Sequence, residues 1–182
     1  MNVQSMSING RKISYRRIGT GKRKILFFHG FPGSSVQIEP FLDHLLEFDL
    51  EVVCVDRPGY HGSVSNNESQ FKQTTEVCEH IINSLGWISV ELIAVSGGTP
   101  FLFSFLEKFP ERISRVSVVC GLGPISSPGY QNFMTWKAKL ALKILPRIPD
   151  QIFAKIFSKN NGKKIIFNLR LLLFFYNPLV RI

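Results

Sequence analysis

The chain has 182 residues, 45% of them hydrophobic and 19% charged. That balance excludes a disordered segment and suits one domain with a substantial core. Its three cysteines, Cys54, Cys78 and Cys120, are odd in number and widely spaced, which excludes a disulfide framework or a zinc site and predicts buried thiols in a reducing compartment. Val3–Ile8 and Lys12–Ile18 flank Asn9-Gly10-Arg11, a hairpin signal because Asn-Gly accepts positive φ in a tight turn. Gly19-Thr20-Gly21-Lys22 lacks the spacing of a phosphate loop and reads as a turn into the next strand, Lys24–Phe28. Gln37–Phe48 has apolar residues at helical spacing, and Glu51–Val55 is a further strand. Glu68–Leu85 reads as a helix ended by Gly86. Val90–Val95 is a strand, Pro100–Phe109 a helix and Arg115–Cys120 a strand. A hairpin followed by alternating strands and helices predicts an α/β fold, a largely parallel sheet with helices on both faces.

The net charge of +9 is unevenly spread: residues 1–128 carry 12 basic and 12 acidic side chains, whereas 129–182 carry 10 basic ones and a single acid, Asp150. The second segment is helical in pattern, with Ile152, Phe153, Ile156 and Phe157 on one face. Residues 165–176 are apolar nearly all round but too short for a membrane span. A boundary is therefore expected near Pro128-Gly129, between an α/β core (1–128) and a basic helical segment (129–182). No stacking platform accompanies the lysines, so a nucleic-acid partner is not expected; the uncovered apolar faces predict self-association or a complementing chain. The polar N-terminus, without an apolar signal region, predicts a cytoplasmic protein.

Three loops follow strands. They are His29-Gly30-Phe31-Pro32-Gly33, Asp56-Arg57-Pro58-Gly59-Tyr60-His61-Gly62-Ser63, and Ala94-Val95-Ser96-Gly97-Gly98. Ligands in such folds sit beyond the carboxyl ends of parallel strands. A serine between small residues, after a strand and before a helix, reads as a nucleophile elbow. His29 is expected to order its own loop and Asp56 to order the loop that it opens; His61 is the alternative candidate for a base.

In these three motifs the sequence resembles the α/β-hydrolase superfamily, in its capped group of proline iminopeptidase-like, epoxide hydrolase-like and esterase-like enzymes. The resemblance covers roughly residues 1–128. It implies Ser96 as nucleophile and Phe31 and Gly97 as backbone oxyanion donors, supported by His29, Gly30 and Asp56. It also implies a chain order of serine, acid, histidine. Here the acids after Ser96 are Glu107, Glu111 and Asp150, and all four histidines (His29, His44, His61 and His80) precede it. The expected protein is thus a serine hydrolase of ester or amide bonds, truncated after the sixth strand and part of a helical cap, and impaired as this chain. Its substrate is a small acyl compound; no cofactor and no metal are expected. The scarcity of acids in the tail argues against an aminopeptidase, which must hold a substrate amine. The alternatives are a non-catalytic binding module, or one half of a split hydrolase.

Overall fold

The computed structural model describes residues 3–31 and 33–123, with scattered positions between 129 and 144. The chain divides into two compact units, Met1–Leu122 and Gly123–Ile182. The expected helices beyond residue 150 lie outside the described residues.

The first unit is built on a six-stranded sheet. Its strands are β1 (Gln4–Ile8), β2 (Arg11–Ile18), β3 (Arg23–Phe28), β4 (Leu50–Val55), β5 (Val90–Val95) and β6 (Ile113–Val119), in the order β1-β2-β4-β3-β5-β6. The sheet is mixed. β4, β3, β5 and β6 run parallel to one another, while β1–β2 and β2–β4 are antiparallel. Ile8 pairs with Arg11, so the hairpin loop is only Asn9-Gly10, with φ of 50° and 73°. Positive φ at both central residues is the twist-matched turn that Asn-Gly favours. Arg11, expected in the turn, begins β2 instead.

Among the described residues of this unit three helices follow strands: α1 (Leu42–Glu47), α2 (Gln70–Ser84) and α3 (Thr99–Lys108). The expected helix over 37–48 is split, since Ser35–Phe41 forms a 3-10 turn before α1. Pro40 within it has no N–H to donate to an α-turn. α2 ends in a Schellman arrangement: Gly86 (φ 69°) donates to Asn83 O at 3.0 Å and Trp87 to Ile82 O at 2.9 Å.

All six residues of β4 are buried, so both faces of the sheet are covered there. The two-residue period of β3 sends Ile25 and Phe27 into a cluster with Ile18, Ile38, Leu50, Val52 and Cys54. Phe28, on the opposite face, meets Phe105 of α3 at 6.3 Å between ring centroids. α2 adds Val77, Ile81 and Ile82 as buried side chains, each contributing about 1.5–3 kcal/mol. The one acid in β4, Glu51, is buried among cations. Burial pushes its carboxyl up, but bonds from Lys24 and Arg17 outweigh this and hold it below the usual range. β6 is different, for Val116, Val118 and Val119 are exposed. Cys120, expected to be buried, is exposed just beyond that strand. An apolar run predicts burial only if something covers it, and the outer strand is covered less than the centre.

Candidate active site

Ser96 follows directly on β5, with φ of 47°. The left-handed region costs an ordinary L-residue roughly 1–2 kcal/mol. The surrounding backbone imposes it, because the chain must reverse from β5 into α3 within the 3-10 turn Ser96–Gly98. Thr99 Oγ1 donates to Ser96 O at 2.7 Å and locks the turn. Gly98 permits the close approach. A methyl group there would overlap the Phe28 carbonyl oxygen and come within 2.8 Å of His29 O.

The loop after β3 lies against this turn. A Cβ on Gly30 would be 3.6 Å from Ser96 Cβ, and one on Gly97 would be 3.1 Å from Phe31 N. Residues 30–31 and 96–97, distant in sequence, are therefore brought together at the carboxyl ends of neighbouring strands β3 and β5.

A buried polar framework holds the loop. Gly30 N–H donates to Gln37 Oε1 at 2.7 Å. His29 is fully buried, with Nδ1 3.0 Å from Gly30 O and Nε2 3.5 Å from Arg57 N. A carbonyl only accepts and an amide N–H only donates, so the ring is the neutral Nδ1–H tautomer with both nitrogens engaged. Burial, with Arg57 nearby, pushes its pKa well below 6.5. The Arg57 side chain donates to His29 O at 2.5 Å and to Gly30 O at 3.3 Å. Its guanidinium lies 4.7 Å from the Tyr60 ring and 4.6 Å from that of Phe101. Burial pulls its pKa down while Tyr60, Cys54 and Asp56 pull it up; it stays a cation.

Asp56 is fully buried at the end of β4. Its Oδ1 accepts from Ser35 N at 2.6 Å and its Oδ2 from Ser14 Oγ at 2.6 Å. The carboxylate thus ties down the loop after β3 as well as β2. His61 Nδ1 lies 3.3 Å from that same Oδ2, with the side chain 42% exposed and φ of 45°. Sharing an oxygen with Ser14 puts His61 on the β2 side of the sheet. β2 is three places from β5, roughly 14 Å at the usual strand spacing. His61 is therefore paired with Asp56 beside β2.

Glu107 and Glu111 flank the far end of α3, and Asp150 lies outside the described residues. A cleft of about 510 Å³ between α2 and α3 is lined by Lys72, Thr75, Glu76, Ser104, Glu107 and Lys108. It opens at the C-terminal half of α3, whereas Ser96 is at the N-terminal end. Among the described residues, no group of three His, Cys, Asp or Glu side chains could hold a metal, and no helix is long and apolar enough to cross a membrane. Sequence reasoning missed Gln37 and the contacts of Arg57. Gln37 carried only a helix signal, and Arg57 was legible merely as part of a Pro-Gly loop.

This α/β architecture, with a serine between β5 and α3, matches a known family. The chain belongs to the alpha/beta hydrolase fold family, whose profile matches residues 24–182. The match runs through the basic segment, past residue 128, where the sequence resemblance was expected to end. Over 112 residues the chain is 32% identical to an uncharacterized hydrolase of Saccharomyces cerevisiae, covering 59% of this chain and 38% of that protein. Over 107 residues it is 28% identical to a poly(3-hydroxyalkanoate) depolymerase of Ectopseudomonas oleovorans, covering 58% and 38%. The epoxide hydrolase CorEH superposes with a TM-score of 0.69 at 20% identity, over 87% of this chain and 56% of that one. A predicted CIB-like hydrolase from Thermoplasma acidophilum gives 0.61 at 17% identity, over 74% and 69%. At such identities the two structures show the fold alone. The chain spans 38–40% of the length of the curated relatives it matches.

Proposed function

We propose that this chain carries the nucleophile and oxyanion half of a serine hydrolase acting on ester or amide bonds. The observation that carries the reading is Ser96 at φ 47° on the β5–α3 junction, with Phe31 N packed against Gly97. In the proposed reaction, Ser96 Oγ attacks an acyl carbonyl carbon. The carbonyl electron pair moves to oxygen, and the N–H groups of Phe31 and Gly97 stabilise that charge. The oxyanion collapses, the proton taken from the serine passes through the base to the departing alcohol or amine, and water then hydrolyses the acyl-serine. This chain would supply a nucleophile and two fixed dipoles, and the reaction so written needs no cofactor.

The serine hydroxyl also needs a proton acceptor. Both nitrogens of His29 are engaged, and His61 is held on the β2 side by Asp56. In this reading the base is supplied from outside residues 1–182, and the chain alone works near background. Loss of general acid–base help costs about 10²–10⁴-fold. Residual reactivity from the oxyanion site persists. A cytoplasmic, reducing setting fits the three free thiols. The exposed Val116, Val118 and Val119 of β6 favour a complementing segment, of this protein or another, along that strand.

The test is incubation with a fluorophosphonate, with the adduct located by mass spectrometry, beside turnover of a p-nitrophenyl ester. Slow labelling on Ser96, lost in Ser96→Ala, with turnover near background is the expected result. Labelling elsewhere, or none, overturns the nucleophile assignment. Clear turnover that Ser96→Ala abolishes overturns the placing of the base outside the chain.

A further inference from the structure

We propose that Arg57 is a positioning residue that, with His29, fixes the direction of the Phe31 N–H by holding the other end of the same peptide unit. The inference rests on Phe31 as an oxyanion donor and extends that reading to the group that aims it. A peptide unit is planar, and in the trans form its C=O and N–H point in opposite directions. Gly30 O and Phe31 N–H belong to one such unit. Anchoring the oxygen therefore sets where the hydrogen points.

The oxygen is anchored twice, by His29 Nδ1 at 3.0 Å and by the Arg57 guanidinium at 3.3 Å. The preceding peptide is anchored too, because His29 O accepts from Arg57 and Gly30 N–H donates to Gln37. The clamp answers a specific problem. Residue 30 sits in a crowded place that favours a small side chain, since its Cβ would lie a tight 3.2 Å from Val95 O. Glycine meets that demand but leaves the adjoining peptide free to rotate. Arg57 restores the order that glycine gives up.

The choice of cation is also informative. Taking a charge out of water is costly unless its partners are good ones. Arg57 is 2% exposed, and among the described residues no carboxylate pairs with it within 4.0 Å. Its charge is directed to two main-chain carbonyls, with Tyr60 and Phe101 fixing its plane. A cation on the oxygen of an amide draws electron density from the nitrogen end. The opposite N–H becomes the better donor. Lysine lacks the planar fork that bridges two carbonyls, so it restores charge without full geometry.

The experiment compares the ¹⁵N-labelled chain with Arg57→Lys and Arg57→Gln. The Phe31 backbone order parameter and amide shift are read beside the rate of fluorophosphonate labelling at Ser96. In the unsubstituted chain Phe31 is expected to be as rigid as the sheet, with an order parameter of about 0.85. In Arg57→Gln it falls toward roughly 0.6, while Val53 and Leu92 keep theirs. Ser96 labelling slows by about 10–100-fold, less than the loss of a whole oxyanion donor, and Arg57→Lys recovers part of it. Unchanged Phe31 dynamics and labelling in the folded variants overturn the proposal. If neither variant folds, the unsubstituted chain still decides, since a mobile Phe31 amide there contradicts a clamp. If Ser96 is never labelled but Phe31 is rigid and loosened by the substitutions, the nucleophile reading fails and the positioning of this peptide stands.

Discussion

Two turns meet at the site, and they are held in opposite ways. The turn after β5 is held by the exclusion of atoms. Ser96 is forced to φ 47°, and a methyl group on Gly98 would overlap the Phe28 carbonyl oxygen. The loop after β3 is held by the addition of bonds, from Gln37, His29, Arg57 and Asp56. One constraint comes mainly from small residues in a row, with the Thr99 hydrogen bond to Ser96 O beside it. The other recruits side chains from the 3-10 turn and from the loop after β4. The turn is rigid because nothing larger fits, and the loop because polar partners surround it. The second device can be tuned by pH and by single substitutions; the first is all or none.

The largest expected effect breaks the steric side of this comparison. Gly98→Ala places a methyl group against backbone oxygens that have no room to move, and should cost more than about 3 kcal/mol. Gly86→Ala is the control. It has positive φ of 69° but nothing within 4 Å, so it should cost only about 1 kcal/mol. Urea unfolding of both measures the difference. Equal losses would mean that close packing at residue 98 contributes nothing beyond backbone strain.

The same contrast explains what the sequence disclosed. The sterics of a tight turn act on neighbours in the chain, so Asn9-Gly10 and Ala94 to Gly98 announced a hairpin and a strand-to-helix reversal, though not the Phe28 carbonyl that crowds Gly98. The order of the three loops along the parallel strands was enough to expect Phe31 near Gly97. Polar clamps act across sequence distance. Nothing around Arg57 indicates that it reaches the carbonyls of His29 and Gly30, 28 and 27 residues earlier. Gln37 sits in an apolar helical pattern that hides its amide. Asp56 was expected to order its own loop, but it also binds Ser35 N, 21 residues away. Cys120 misled for another reason, for hydrophobic sequence marks what could be buried and says nothing of whether a neighbour covers it.

The second expected effect breaks the polar side. Asp56→Ala leaves Ser35 N–H and Ser14 Oγ without their buried acceptor. Hydrogen bonds to a charged group contribute roughly 1.5–3 kcal/mol each, so a loss of about 3 kcal/mol is expected. Asp56→Asn, which retains one acceptor, should lose about half as much. Chemical unfolding at pH 7.5 checks both. A loss below 1 kcal/mol in the alanine variant would show that the carboxylate does not hold the loop.

A third effect uses pH. His29 is buried as the neutral form, its pKa depressed well below 6.5. Above the unfolded value both states are neutral, and the residue adds no pH dependence. Below about 6.5 the unfolded chain takes up a proton that the native chain refuses. Stability therefore falls as pH falls, by up to about 1.4 kcal/mol per unit, down to the depressed native value. Glu51 and Glu91, held below the usual carboxyl range, add their own loss at lower pH, under about 4.5. Between these limits the slope should belong mainly to His29 and flatten in His29→Gln. Denaturant midpoints between pH 7.5 and 5 give the slope. An unaltered slope in His29→Gln would assign the dependence elsewhere.

The smallest effect concerns His61, where strain and bonding occur in one residue. Its φ of 45° is one that glycine adopts freely, and its ring nitrogen pairs with Asp56 at 3.3 Å. His61→Ala removes the pair and keeps the strain. His61→Gly removes both, while gaining some unfolded-state entropy. A pair with one partner half-exposed contributes only about 0.2–1 kcal/mol, and the left-handed backbone costs roughly 1–2 kcal/mol in alanine. The glycine variant should therefore be about 1 kcal/mol more stable than the alanine variant and close to the unsubstituted chain. Thermal melts of the three proteins measure this. Fluorophosphonate labelling of Ser96 in His61→Ala carries the comparison back to chemistry. With His61 paired to Asp56 beside β2, three strands from β5, the rate should change less than twofold. A tenfold fall in a variant that still folds would make His61 the base after all, working through a conformation in which it leaves Asp56.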